Sequence, residues 1–200
     1  MNNKVQNVLL GVLAVGLIGI TVAYAALTQQ LTINGTAKVA STKWDIHFSD
    51  KKTGVAEGYA ETGDFAKTSA TTLGGNLGTL KAPGDKITYT FDIENAGDIN
   101  AVIDSVTGGQ SVTCTSATQS VANAVCGDLS YSIKYTDGNT AIAKGDKLAK
   151  ATSASAPTKK NVTLTITYNK TDAQQTLASE DVTVTADGMT INYVQDVNNQ

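Results

Sequence analysis

The chain has 200 residues, 41% of them hydrophobic and 16% charged, and a formal net charge of -3. That is enough apolar material for one core of ordinary domain size, and the balance excludes a charge-rich disordered chain. Every basic residue is lysine, and without arginine the composition argues against a nucleic-acid binder.

Lys4 is the only charge before Lys38, and the stretch from Val8 to Ala26 is almost wholly apolar, containing Ala23-Tyr24-Ala25 near its end. A positive start, an apolar run and an Ala-x-Ala site together predict a secretory signal peptide over residues 1–25. The site residues are Ala23, Ala25 and Ala26, with cleavage after Ala25 by a transiently bound signal peptidase. The run is also about long enough to cross a bilayer, for which ~20 residues suffice, so an uncleaved anchor is the alternative. Either way residues 26–200 are expected as a single extracellular domain, secreted or at the cell surface, touching the membrane only through the N-terminal segment.

Behind the cleavage site comes an alternating segment, residues 27–39, with Leu31, Ile33, Ala37 and Val39 on one face. Further windows of period two predict strands with one buried face. Trp44, Ile46 and Phe48 share a face, and His47 points the other way. Residues 49–81 read as an irregular insertion rich in Gly, Ala and Thr. After the Pro83-Gly84-Asp85 turn, Ile87, Tyr89, Phe91 and Ile93 alternate. Weaker windows lie near Ile99–Val106 and Gln110–Thr115. Leu129, Tyr131, Ile133 and Tyr135 follow, then Val162, Leu164, Ile166 and Tyr168. Val182 and Val184, with Met189, Ile191 and Tyr193, close the chain. The best helical candidates are Thr140–Ala151 and Thr171–Leu177, both short. Some eight strands separated by turns indicate an all-β fold, a two-sheet antiparallel β-sandwich. Trp44, Phe91, Ile133, Leu164 and Ile166 are its expected core.

Cys114 and Cys126 are the chain's two cysteines, and in an oxidising compartment the pair predicts a disulfide. Chemistry is sparse elsewhere. The single histidine, His47, reads as a solvent-facing strand residue; two histidines one helical turn apart, a Gly-x-Ser-x-Gly elbow and a phosphate loop are all missing from the sequence. Asp45, Asp50, Asp85, Asp92 and Asp98 are the residues that would gather around a calcium ion, but with no twelve-residue calcium loop in the sequence they read as turn caps and solvated charges. No catalytic residue, metal ligand or cofactor is assigned, and the chain is not expected to be an enzyme.

Several segments together resemble the TasA/camelysin-like secreted proteins of Gram-positive bacteria. They are Val22-Ala23-Tyr24-Ala25, Leu31-Thr32-Ile33-Asn34-Gly35, Trp44-Asp45-Ile46-His47-Phe48, and Pro83-Gly84-Asp85 followed by Tyr89-Thr90-Phe91-Asp92-Ile93-Glu94-Asn95-Ala96-Gly97. The resemblance implies a jelly-roll or immunoglobulin-like sandwich, a signal removed by a SipW-type peptidase, and subunits that form extracellular biofilm fibres. It further implies that the N-terminal segment of one subunit adds as a strand to the next. Camelysin is described as a metalloprotease, but no metal motif here supports carrying that over. Strand physics allows the same homopolymer but equally a closed monomer that keeps the segment as its first strand. A released alternating strand completes a sheet edge either in its own subunit or in a neighbour, and only the second arrangement, head to tail, makes a filament. A monomeric adhesin or binding module held by an uncleaved anchor is the competing reading.

Overall fold

The computed structural model describes residues 2–7, 9–14, 35–50, 53–171, 175 and 177–198. It divides into Met1–Ala40 and Ser41–Gln200. In the first unit, residues 3–7 and 9–14 are helical and residues 35–40 carry no regular structure. No helix among the described residues is long and apolar enough to cross a membrane.

The second unit is built of antiparallel strands: β1 (Ile46–Phe48), β2 (Thr53–Glu57), β3 (Glu61–Thr62), β4 (Ala66–Ser69), β5 (Thr72–Gly74), β6 (Gly78–Thr79), β7 (Lys86–Asn95), β8 (Ala101–Thr107), β9 (Val112–Thr115), β10 (Leu129–Tyr135), β11 (Lys147–Leu148), β12 (Thr158–Tyr168), β13 (Thr183–Ala186) and β14 (Thr190–Gln195). The largest sheet has the order β1-β7-β12-β10, with β2 also on the β1 side of β7. A second sheet runs β11-β8-β14, and β13-β9 extends it in sequence. β7 and β12 pair over most of their length, bringing Ile87, Tyr89 and Phe91 opposite Ile166, Leu164 and Val162. Their period-two pattern decides the outcome: the apolar side chains are buried on one face, and Thr88, Thr90, Thr163 and Thr165 lie on the other. Ala101 and Ile103 of β8 and Leu148 of β11 join the same core, so both sheets contribute to it.

The turn before β7 is pinned by Asp85, which is 1% exposed. Its carboxylate accepts backbone N–H bonds from Tyr59 and Lys81, both at 2.7 Å, and from Ala82 at 3.0 Å. Burial alone would raise the Asp85 carboxyl; the three N–H groups and Lys81 outweigh it and hold it below its ordinary value. Gly58, at a φ of +77°, lets the β2–β3 turn lie against this carboxylate.

The structure departs from the sequence reading in three places. β1 begins at Ile46, not Trp44, and Trp44 is 46% exposed rather than in the core. Its neighbours bond to the loop after β7 instead of continuing a ladder: Ala96 N–H donates to the Asp45 carbonyl and Asp98 N–H to that of Lys43, each at 2.9 Å. Gly97 makes this close approach feasible, since a Cβ there would stand 2.6 Å from the Lys43 carbonyl oxygen. Next, the insertion at 49–81 is ordered into short strands, with β2 along β7, β3 on β6 and β4 on β5. Phe65 anchors it, its ring 5.0 Å from that of Tyr89. Finally, a helix lies at Gln119–Gly127, burying Ala122 and Val125, while 140–151 is turns and β11, and most of the candidate Thr171–Leu177 lies outside the described residues. The Cys114–Cys126 disulfide ties this helix to β9 across a Cα–Cα distance of 5.8 Å.

Two measurements check this core. Leu164→Ala should lower unfolding stability by about 2–5 kcal/mol, read as a drop in denaturant midpoint. Asp85→Asn should also destabilise, but only where the native carboxylate is ionised. A depressed carboxyl contributes stability above its unfolded value, near 3.9, that is lost as pH falls through the folded value. Urea midpoints of native and variant should therefore differ at pH 6 and converge only as the pH is taken well below 4.

Candidate functional site: an apolar cleft between two strand edges

β8 leads into β9, and β13 into β14, as one antiparallel ribbon interrupted at a corner. β9 pairs β13 up to Val112↔Ala186, and β8 pairs β14 from Thr107↔Thr190. Gly108 and Gly109, with φ of +71° and +77°, turn that corner, and a Cβ on Gly109 would overlap the Met189 side chain at 2.7 Å. The corner swings β14 across the inner face of the larger sheet. Among the described residues β14 pairs with β8 alone, which leaves its other edge open.

Beside that edge is a cleft of about 490 Å³. One lip is β14 with Met189, and the other is β1 with Trp44. The floor is the inner face of the larger sheet, including Phe91, Ile93, Ile133 and Leu164. The Phe48 ring stands edge-on to Phe91 at 5.5 Å. The tip of the β4–β5 hairpin borders the cleft and steadies β1, where Phe48 N–H donates to the Ala70 carbonyl at 2.8 Å. Inside, burial pushes the phenols of Tyr131 and Tyr193 up to about 12, helped by Asp187 and Asp146 respectively, so both act as neutral, apolar-bodied walls at ordinary pH.

The β1 lip is charged on its outer side. His47 is 24% exposed, with Nδ1 2.8 Å from Asp45 Oδ1 and Nε2 3.5 Å from Glu94 Oε2. Lys43 holds the far oxygen of Asp45 at 2.6 Å, and Lys159 of β12 holds Glu94 at 2.7 Å and Asp92 at 3.7 Å. Lys43, then His47, keeps the Asp45 carboxyl below its ordinary value, and Glu94 keeps the Lys159 ammonium above its own. His47 is thus a bracketed side chain rather than the freely solvated one the alternation suggested; its partners come from β7 and from two residues upstream, a pairing that alternation within one strand does not reveal.

The predicted site residues fall into three groups. Cys114 and Cys126 form the disulfide. Ala23, Ala25, Ala26, Leu31 and Ile33 lie outside the described residues. Ala37 and Val39 are exposed, Val39 at 96%, in a segment without strand structure. Among the described residues no group of three or more His, Cys, Asp or Glu side chains is arranged to hold a metal ion. The open β14 edge and the cleft were not foreseen; the signal available was the Gly108-Gly109 and Asp187-Gly188 pair of corners. No family model, curated protein or solved structure matches this chain.

Trp44 is the chain's single tryptophan and sits at the mouth of the cleft. Its fluorescence should be that of a partly hydrated indole in dilute protein. It should shift to the blue when the cleft is filled.

Proposed function

We propose that this chain is a secreted structural subunit of an extracellular filament or biofilm matrix. Its body is a two-sheet β-sandwich, of jelly-roll or immunoglobulin-like type, that is one strand short. Residues 27–39 of one copy supply the strand to the next, so the partner is a second copy of this chain. The observation that carries the reading is the open β14 edge beside an apolar cleft. An uncovered edge over apolar surface is a template for strand pairing. The exposure of Val39, in an alternating segment that forms no strand over residues 35–40, supports donation over retention. Release of that segment requires cleavage after Ala25, and the disulfide agrees with an oxidising, extracellular compartment.

The energetics are adequate. Burying Leu31, Ile33 and Val39 is worth roughly 1.5–3 kcal/mol each relative to exposure. Ladder hydrogen bonds add to this, and the entropy of association removes part of it. A head-to-tail contact does not close on itself, so growth continues into a fibre. Deleting residues 27–39 should abolish polymers seen by size exclusion and electron microscopy. Replacing Leu31 and Ile33 by Asp should block growth while leaving the body folded. A native mature chain that stays monomeric at high concentration, with 27–39 protected from hydrogen exchange within its own body, would contradict the reading.

A further inference from the structure

Between residues 27 and 39 the sequence has a single charged side chain, Lys38, and its alternate positions are unequal in size: Leu31 and Ile33 are large, Gly35 and Ala37 small. Among the described residues a Cβ on Gly35 would meet nothing within 4 Å, so its own subunit does not require glycine there. The receiving strand is unequal too. Met189, Ile191 and Tyr193 of the β14 lip pack against the core, and Thr190, Asn192 and Val194 are exposed on the opposite side.

Charge distinguishes the two ends of β14. Asp196, at the far end, already holds Lys147 at 2.9 Å, and on the other lip Asp45 holds Lys43 at 2.6 Å. Asp187, at the near end, has no ammonium partner among the described residues and is exposed. A donor running antiparallel to β14 brings Lys38 to that carboxylate while Leu31 and Ile33 lie over the strand. A parallel donor with the same two side chains over β14 puts Lys38 at or beyond Asp196, where the carboxylate is taken.

Three conditions then leave one register. Directly opposite residues of an antiparallel pair share a face, so the odd-numbered donor residues must meet the odd-numbered residues of β14. Gln29 has an amide that is costly to bury unpaired, so it must fall past Gln195. Lys38 must stay next to Asp187; a slip of two residues along β14 carries it opposite Thr190, about 10 Å of strand from Asp187. The register that meets all three pairs Ile33 with Tyr193, Gly35 with Ile191 and Ala37 with Met189, and sets Lys38 opposite Gly188. The two small donor residues then face two bulky ones.

We propose that Asp187 is the residue that fixes the direction and register of the incoming strand, by receiving Lys38 of the next copy, and that Gly35 is the gap into which Ile191 fits. This rests on the strand-addition reading and adds to it one orientation.

The test measures growth of the mature chain by light scattering and electron microscopy, with urea midpoints to show that each variant body is folded. Lys38→Glu and Asp187→Lys should each slow growth by about three- to tenfold, the scale of one exposed charge pair turned repulsive. The double exchange should recover to within about twofold of native. Gly35→Val should slow growth by about tenfold or more, because added methyl groups overfill a packed contact. Valine favours strands, so strand propensity alone predicts the opposite sign. Lys38 and Gly35 lie in an exposed segment, so their variants decide the matter even where Asp187→Lys weakens the body. Native-like growth of Lys38→Glu, faster growth of Gly35→Val, or a double exchange as slow as the worse single variant overturns the register and leaves strand addition standing where the native chain polymerises. A native chain that never polymerises overturns both.

Discussion

A strand at the margin of a sheet carries a row of N–H and C=O groups with no neighbour, and natural proteins cover, charge or twist such edges away. Among the described residues β14 is paired along one edge, toward β8, and its other edge borders an apolar cleft floored by Phe91, Ile93, Ile133 and Leu164. Backbone polarity and apolar side chains thus ask for the same occupant: an extended segment with large aliphatic residues at every second position. Residues 27–39 of the sequence place Leu27, Leu31, Ile33 and Val39 on one such face, interrupted by Gln29, Gly35 and Ala37.

The remaining architecture keeps this gap in shape. The long β7–β12 pairing supplies a stiff floor, and the buried Asp85 carboxylate locks the turn that starts β7. The Gly108-Gly109 corner throws β14 across the floor, and the Cys114–Cys126 bridge fixes the helix that follows β9. On the opposite lip β1 is three residues long, so its position depends on side chains as much as on its ladder. Phe48 against Phe91 and the charges around His47 supply that hold.

The strongly alternating strands could be located from the sequence, because a period of two with Ile, Val, Leu and Tyr on one side has no stable alternative once one face is buried. β7, β10 and β12 are of this kind. The cysteine pair was legible for a chemical reason rather than a geometric one. Trp44 was misplaced because its exposure is decided by a loop around Gly97, more than fifty residues on, which captures the backbone that alternation assigned to the strand. The nine-residue helix Gln119–Gly127 buries only Ala122 and Val125 and gives too short a pattern for its period to register. The insertion at 49–81 depends on tertiary contacts such as Phe65 on Tyr89. The cleft is a property of how edges are left over, and no local pattern encodes that.

The most direct test of the account is solid-state NMR on polymers grown from a mixture of two populations, one labelled with carbon-13 and the other with nitrogen-15. The account predicts through-space contacts between carbons of residues 27–39 in one population and backbone nitrogens of Thr190–Gln195 in the other. Polymers whose intermolecular contacts lie elsewhere, with the β14 edge still exchanging freely with water, would contradict it.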